Sequence, residues 1–346
     1  MILVSVWLAP ESVYPESKSL GKISFDPKPQ EGYFQGWNYY YRDKDTILFA
    51  TFLVSNLGPG THNNGVSLYI KHPKLGTYFT TQEYADYDLI AKTGEFGQKS
   101  GDNKMEKKGH SFFVTMRTGD LELDLEFNAS TQKFPIALSG GDIDLTPFNG
   151  FLRADVGFSR VPAKGQIRKS ETTIDLNGLG GMEHLNTNLE VYKYSKSWEI
   201  LRSFSEQGDR LNFGGFTGTD NYPNGFFKRI SIVSNKGEEI FSGKVTKIEI
   251  LKKTHNKFSG YDLPTQQKLT IDGEDSCTAT ITDTKVIGEI NVLENISAVL
   301  RFFVRLFFAK PYQIHLNTSV VWDCVNSPIP TQTFKSGIHS YYLVNR

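Results

Sequence analysis

Cysteine is scarce in this chain of 346 residues, where Cys277 and Cys324 are the only two. That excludes a disulfide scaffold and any multi-cysteine zinc or iron–sulfur site. A single bridge stays open, with two buried thiols the preferred reading. Charge of one sign is missing as well. The 38 basic and 38 acidic side chains leave a formal net charge of zero, whereas a general nucleic-acid binder needs a basic surface that releases counterions. No nucleic-acid partner is therefore expected. No run reaches the roughly 18 apolar residues of a membrane-spanning helix. The apolar start, Met1 to Leu8, lacks a basic leader region and ends too soon for a secretory signal. It reads as a first strand or tail, and a cytoplasmic location follows if Met1 is the natural start. The seven histidines include no HxH, HxxxH or HExxH pair, and phosphate-cradling GxxxxGK[ST], dinucleotide-binding GxGxxG and the GxSxG nucleophile elbow are all absent. These absences leave no metal and no cofactor to expect.

What is present is β-sheet periodicity. Leu121, Leu123, Leu125 and Phe127 alternate with Glu122, Asp124 and Glu126, which places one face of a strand in a core and the other in water. Ile47 to Ser55 is a nearly continuous apolar run and reads as a strand covered on both sides. Val66–Ile70, Ser111–Met116, Phe227–Val233, Val245–Leu251 and Lys268–Ile271 are further strand candidates. Turn chemistry sits at Asn63-Asn64-Gly65 and Ser234-Asn235-Lys236-Gly237. Many short strands with frequent turns predict an all-β protein of antiparallel sandwiches or barrels. One segment departs from period two: Leu293, Ile296, Leu300, Phe303 and Phe307 share a helix face, and Lys310-Pro311 closes it. A helix is expected near 292–309. It reads as a core helix, and its arginines and surplus Phe also suit peripheral membrane contact. The turn-rich stretch before Phe158–Lys164 divides the chain into an N-terminal β domain, 1–160, and a C-terminal β domain, 161–346.

The cluster with most chemical content is Gly178-Leu179-Gly180-Gly181-Met182-Glu183-His184-Leu185-Asn186. Its glycines let backbone pass close to something bulky. Neighbours on a strand face opposite ways, so Glu183 and His184 enter one cavity only if the strand bulges, and His184 shares its face with Asn186. An imidazole beside a cavity can move a proton near neutral pH. It can equally be a satisfied histidine bonded within the sheets. Trp198 shares a face with Ile200 and Arg202, and Trp37, Tyr39 and Tyr41 share another. Such aromatic stripes build cores or line a pocket for an apolar ligand.

Phe34-Gln35-Gly36-Trp37-Asn38-Tyr39-Tyr40 resembles the opening motif of the AttH/carotenoid 1,2-hydratase superfamily, which includes tocopherol cyclases and lipocalin-like Diels–Alderases. Gly165-Gln166-Ile167, the Ile174-to-His184 stretch, Trp198 and Gly208-Asp209 follow in that family's order. Ser336-Gly337-Ile338-His339-Ser340-Tyr341 resembles its closing strand loosely. The chain departs from the pattern at Asn186 and Thr187, where the family has Trp and Gly. The resemblance implies two lipocalin-like antiparallel β-barrel or sandwich domains side by side, with a hydrophobic pocket near their interface. Carried over by position, Glu183 and His184 would be the acid–base pair; Trp37, Tyr39, Tyr41, Asn186 and Trp198, from the strand faces above, are the candidate substrate-binding residues. Three functions are then open. One is a cofactor-free isomerase, cyclase or hydratase acting on an isoprenoid, polyene or polyketide-type molecule. The second is a carrier of such a hydrophobic small molecule without chemistry. The third is a carbohydrate-associated sandwich using surface aromatics such as Tyr84 and Tyr87.

Overall fold

The computed structural model describes residues 22–56, 62–130, 135–272, 277–294, 311–325, 329 and 331–344. The helix expected near 292–309 falls, from residue 295 onward, outside the described residues. The period-two segments are strands. Leu121, Leu123, Leu125 and Phe127 are buried along β9 (Leu121–Asn128), and Glu122 between them is exposed. β2 (Ile47–Ser55) is covered on both faces because Leu48, Ala50, Phe52 and Val54 enter one core while Phe49 enters another. The turn reading at Asn63-Asn64-Gly65 is corrected: these residues begin β3 (Asn63–His72), with Gly65 opposite Leu53. Glycine is needed there for close approach, since a Cβ would lie 2.9 Å from the Gln82 carbonyl oxygen.

Two antiparallel sheets follow one another. The first contains β1 (Phe34–Arg42), β2, β3, β4 (Gly76–Tyr84), β5 (Leu89–Ile90), β6 (Gly97–Ser100), β7 (Asn103–Lys108), β8 (Ser111–Thr118), β9, β10 (Ile143–Asp144), β11 (Phe151–Lys169) and β12 (Thr172–Thr187). Its order is β4-β3-β2-β1-β12-β11-β9-β8-β7-β6-β5, with β10 paired to β11. Its two edges are drawn together by side chains. Tyr78 Oη on β4 donates to the Thr118 carbonyl at 2.8 Å, and Asn103 Nδ2 on β7 donates to Tyr84 Oη at 2.7 Å. The sheet is thus a nearly closed barrel. The second sheet is a closed barrel of β13 (Ser195–Ser205), β14 (Arg210–Gly218), β15 (Phe226–Val233), β16 (Glu239–Asn256), β17 (Tyr261–Ile271), β18 (Cys277–Asn291), β19 (Tyr312–Cys324) and β20 (Gln332–Leu343), in which β20 returns to pair with β13. The architecture is the expected pair of lipocalin-like barrels side by side.

The division expected after residue 160 falls inside β11, which pairs with β9 and β12, while β12 pairs with β1. The chain passes between sheets at residues 188–194, through the single-turn helix α1 (Val191–Tyr194). The turn-rich residues that suggested a break near 160 form a loop of the first sheet, tied back by β10 on β11. The preference for two free thiols is also overturned. Cys277 and Cys324 sit opposite one another on β18 and β19 and are joined as a disulfide.

The first barrel is filled by Trp37, Tyr39, Tyr41, Phe52, Phe112, Phe127 and Phe158, and the second by Leu201, Phe213, Ile230, Leu269, Ile281 and Trp322. A third cluster, Tyr40, Phe49, Tyr69, Ile287, Ile290 and Ile338, lies where the barrels meet. Outward residues of β1, β2 and β3 pack there against β18 and β20, so both sheets bury apolar area on their outer faces as well.

Candidate functional site

All the candidate residues except Trp198, which lies on β13, hang on β12 and its neighbour β1. Trp37 pairs with His184, and Gln35 with Asn186, so all four side chains enter the first barrel. His184 is buried there. Its Nδ1 lies 3.2 Å from Asp155 Oδ2 and its Nε2 lies 2.9 Å from Gln35 Nε2. Arg153 Nε donates to Asp155 at 3.0 Å, Gln35 donates to the Ser24 carbonyl at 2.7 Å, and the Trp37 ring lies 5.5 Å from the imidazole. A histidine held at both nitrogens inside a packed core has a fixed orientation and no open face. Asn186 is buried on the same side, and its Oδ1 finds no partner among the described residues.

Glu183 faces the other way, as strand alternation requires. It points out of the first barrel and closes on Arg202 of β13 in a two-pronged ion pair, with Arg202 Nη2 at 2.8 Å from Oε2 and Nε on Oε1. Asn38 Nδ2 donates to Oε2 at 2.9 Å. Arg202 Nη1 donates to Ser340 Oγ at 2.9 Å, and its guanidinium lies 4.8 Å from the Tyr40 ring centre. His315 Nδ1 is 2.8 Å from the same Ser340 hydroxyl, and its ring stacks on Phe49 at 3.9 Å. Burial, reinforced by the Arg202 charge, lowers the His315 imidazole to about 3, so it is neutral at pH 7. Glu183 and His184 therefore occupy opposite faces of one strand and share no cavity.

Trp37, Tyr39 and Tyr41 do share a face, but it is core: each is fully buried, and Trp37 Nε1 donates to the Ile23 carbonyl at 2.8 Å. The expectation that they line a pocket is corrected on that ground. Trp198 does border an opening, a slot of about 10 Å³ walled by Leu138, Gly214 and Phe227. That is about one water's worth of space, so Trp198 belongs chiefly to the cluster with Tyr194 and Phe216.

A larger opening lies between the barrels. A groove of about 270 Å³ is walled by Tyr40, Leu179, Phe204 and Ile338, with Arg42 and Arg160 among them and the Lys335–Glu206 pair at its lip. β11 makes it possible. The strand slips register between Phe158 and Val161, and Arg160 stands there with φ at 53°, a conformation costly for a residue with a side chain and typical of sites where geometry is imposed. Tyr40 Oη accepts from the Arg160 backbone N–H at 3.4 Å and lies 3.3 Å from Ser159 Oγ. Burial, aided by the Glu183 charge, raises the Tyr40 phenol, so it keeps its proton at neutral pH. The glycine run serves this wall. A Cβ on Gly181 would lie 2.5 Å from the Tyr40 ring, and one on Gly180 would lie 2.3 Å from the Tyr40 carbonyl oxygen.

The closed barrel holds a second polar group that the sequence reading did not single out. Lys228 Nζ lies 2.5 Å from Glu199 Oε1, and Gln267 Nε2 donates to Glu199 Oε2 at 3.1 Å. His339 Nδ1 lies 2.9 Å from Asp283 Oδ2, which also accepts from Tyr341 Oη at 3.0 Å. His339 Nε2 stands 3.5 Å from Glu199, an ion-pair distance rather than a hydrogen bond. Burial would lower the imidazole, but Asp283 and Glu199 raise it to about 9. Burial would likewise raise the Glu199 carboxyl, but Lys228 and His339 hold it well below the usual carboxylate range. The signal was available: Glu199, Lys228 and Asp283 each occupy a core-facing position of an alternating strand, beside Leu201, Ile230 and Ile281. Among the described residues no three His, Cys, Asp or Glu side chains gather as a metal cluster.

No family model and no curated protein matches this chain by sequence. Solved structures match by fold. A protein assigned as AttH from Nitrosomonas europaea superposes with a TM-score of 0.63 at 12% identity, over 97% of this chain and 99% of its own. Kievitone hydratase from Nectria haematococca gives 0.56 at 9% identity, over 94% and 93%. CghA, solved with Sch210972, gives 0.57 at 7% identity, over 94% and 97%.

Proposed function

We propose, from the double-barrel fold shared with the AttH, kievitone hydratase and CghA structures, that this protein is a cofactor-free enzyme for a hydrophobic small molecule. The molecule would be of isoprenoid, polyene or polyketide type, and the site is the groove between the barrels. The observation that carries this reading is the groove itself. It has about 270 Å³ of space and apolar walls at Tyr40, Leu179, Phe204 and Ile338. That is near the small end of ligand pockets, so a longer polyene would seat one end and extend past the lip.

In this reading catalysis is mainly conformational. A flexible chain held in one fold reacts intramolecularly at much reduced entropic cost, which suits isomerisation and cyclisation. Tyr40 is the wall residue with a proton to share. Glu183 is a positioning residue: it fixes Arg202, whose guanidinium lies against the Tyr40 ring. His184 plays the matching part on the inner face, holding β12 between Asp155 and Gln35.

One observation favours a carrier without chemistry. Among the described residues no histidine lines the groove, and the one carboxylate there, Glu206, is engaged by Lys335, so none of these groups is poised as an acid–base pair near pH 7. Native mass spectrometry with organic extraction separates the two readings. A bound apolar molecule released unchanged supports the carrier, and a converted one supports the enzyme. The groove is tested with retinol, a neutral fluorescent polyene. Leu179→Glu, at an exposed wall position, weakens binding tenfold or more, while Tyr87→Ser on the remote surface does not. Equal binding by Leu179→Glu and the unaltered protein overturns the groove as the site.

A further inference from the structure

The groove's charges are not balanced. Lys335 is matched by Glu206 at 2.6 Å. Arg42, at the end of β1 opposite Leu179, has no carboxylate within ion-pairing reach among the described residues, and burial alone lowers its guanidinium. Arg160 has none either; its guanidinium lies 5.1 Å from the Phe204 ring centre. Behind them Arg210 is buried, donates Nη1 to the Ser234 carbonyl at 3.2 Å, and leaves Nε without a partner. Burial lowers the Arg210 guanidinium, Arg160 opposes its charge, and Tyr40 and Asp209 support it without reversing the shift. Elsewhere among the described residues the buried Arg202 and Lys228 are matched by Glu183 and Glu199, and the half-buried Arg153 by Asp155. A partly desolvated guanidinium without a counter-charge is costly, and its planar donors suit an oxyanion.

We infer that the groove takes an anionic amphiphile, a molecule whose apolar chain lies on Tyr40, Leu179, Phe204 and Ile338 and whose carboxylate is held by Arg42 and Arg160. This rests on the groove being the ligand site and narrows the class of ligand. Neutral hydrocarbons of the same shape bind it weakly. Arg160 is placed for the task by its own backbone, since the left-handed turn at φ 53° is held by the Arg160 N–H donating to Tyr40 Oη. The same tyrosine thus forms the apolar wall and fixes the cation beside it.

The test compares retinol with retinoic acid, which share a polyene and differ in the anionic end. With the full chain at low salt, retinoic acid binds at least tenfold tighter than retinol, and the preference shrinks as salt rises. Arg160→Gln and Arg42→Gln each bring the acid toward the alcohol's affinity. Arg160→Lys, which keeps the charge, retains most of the preference. Circular dichroism of each variant confirms the fold. Equal affinity for acid and alcohol in the unaltered protein, with both weakened by Leu179→Glu, overturns the anion assignment while the groove stands. Loss of neither probe in Leu179→Glu, or binding of neither probe at all, overturns both.

Discussion

Arg202 of the closed barrel and Glu183 of the nearly closed one meet face to face, guanidinium on carboxylate, with both side chains buried and Nη2 at 2.8 Å from Oε2. This pair is the polar centre of an otherwise apolar contact between barrels. Removing one member leaves the other charged and dry, which costs about 3–5 kcal/mol in such sites. Glu183→Ala therefore lowers the unfolding free energy by about that amount, and urea denaturation measures it. Glu183→Leu with Arg202→Met removes both charges and recovers most of the loss. A double variant as unstable as Glu183→Ala would mean that the hydrogen bonds to Asn38 and Ser340, not charge burial, dominate there.

His184 yields a prediction that separates chemistry from architecture. His184→Ala takes one hydrogen bond from Gln35 Nε2, which still donates to the Ser24 carbonyl, and one from Asp155 Oδ2, which still accepts from Arg153, and each such bond contributes about 1 kcal/mol. The variant is destabilised accordingly. Once a substrate is in hand, its turnover falls no further than its binding does, because the imidazole points away from the groove. A hundredfold loss of kcat in a folded His184→Ala protein would instead put the imidazole on the reacting molecule.

Much of this was legible in the chain. Strand alternation in β9 and β13 placed Leu123, Leu201 and Trp198 on their correct faces, and the same alternation in β12 set Glu183 and His184 on opposite sides. What periodicity could not give is which side of a sheet is inside a barrel and which meets a second barrel, because both sides are dry here. Trp37, Tyr39 and Tyr41 therefore read equally well as pocket or core, and Tyr40, the residue between them, was the one facing the groove. The break at 160 was misplaced because local turn chemistry at 139–150 outweighed the long-range pairing of β12 with β1, which no local window contains. Arg42 and Arg160 are ordinary charged residues in sequence; only the fold shows that no carboxylate among the described residues meets them.

The cluster inside the closed barrel makes stability depend on pH. His339 has its folded-state value raised to about 9 by Asp283 and Glu199, against about 6.5 in an unfolded chain. A raised histidine contributes its full stabilisation below the unfolded value and loses it as pH rises through the folded one. Stability therefore declines between about pH 6.5 and 9, by on the order of 3 kcal/mol from this group. Glu199, held low, acts in the opposite direction: its contribution is present above the ordinary glutamate range and fades as pH falls. Thermal unfolding from pH 5 to 9.5 shows the alkaline decline, and His339→Gln flattens it. An unchanged alkaline limb in that variant would assign the decline to another group.

Gly181 connects the glycine-rich run to the groove. A Cβ there would sit 2.5 Å from Tyr40 Cε1 and Oη and 2.6 Å from the Phe158 carbonyl oxygen, so the ring must move or the strands must part. Overpacking of this kind costs about 1–3 kcal/mol. The displaced ring also carries the acceptor for the Arg160 N–H, so the arginine loosens with it. Gly181→Ala is thus expected to lower stability modestly and to weaken retinoic acid binding several-fold. Gly76→Ala, at a left-handed turn with nothing within 4 Å of the added methyl, is the control: it costs stability through backbone strain alone and leaves binding intact. Ligand titration of the two variants, each matched for the fraction folded, reads the difference. Equal binding by both would show that Tyr40 is not held by the glycine and that the groove's shape is set elsewhere.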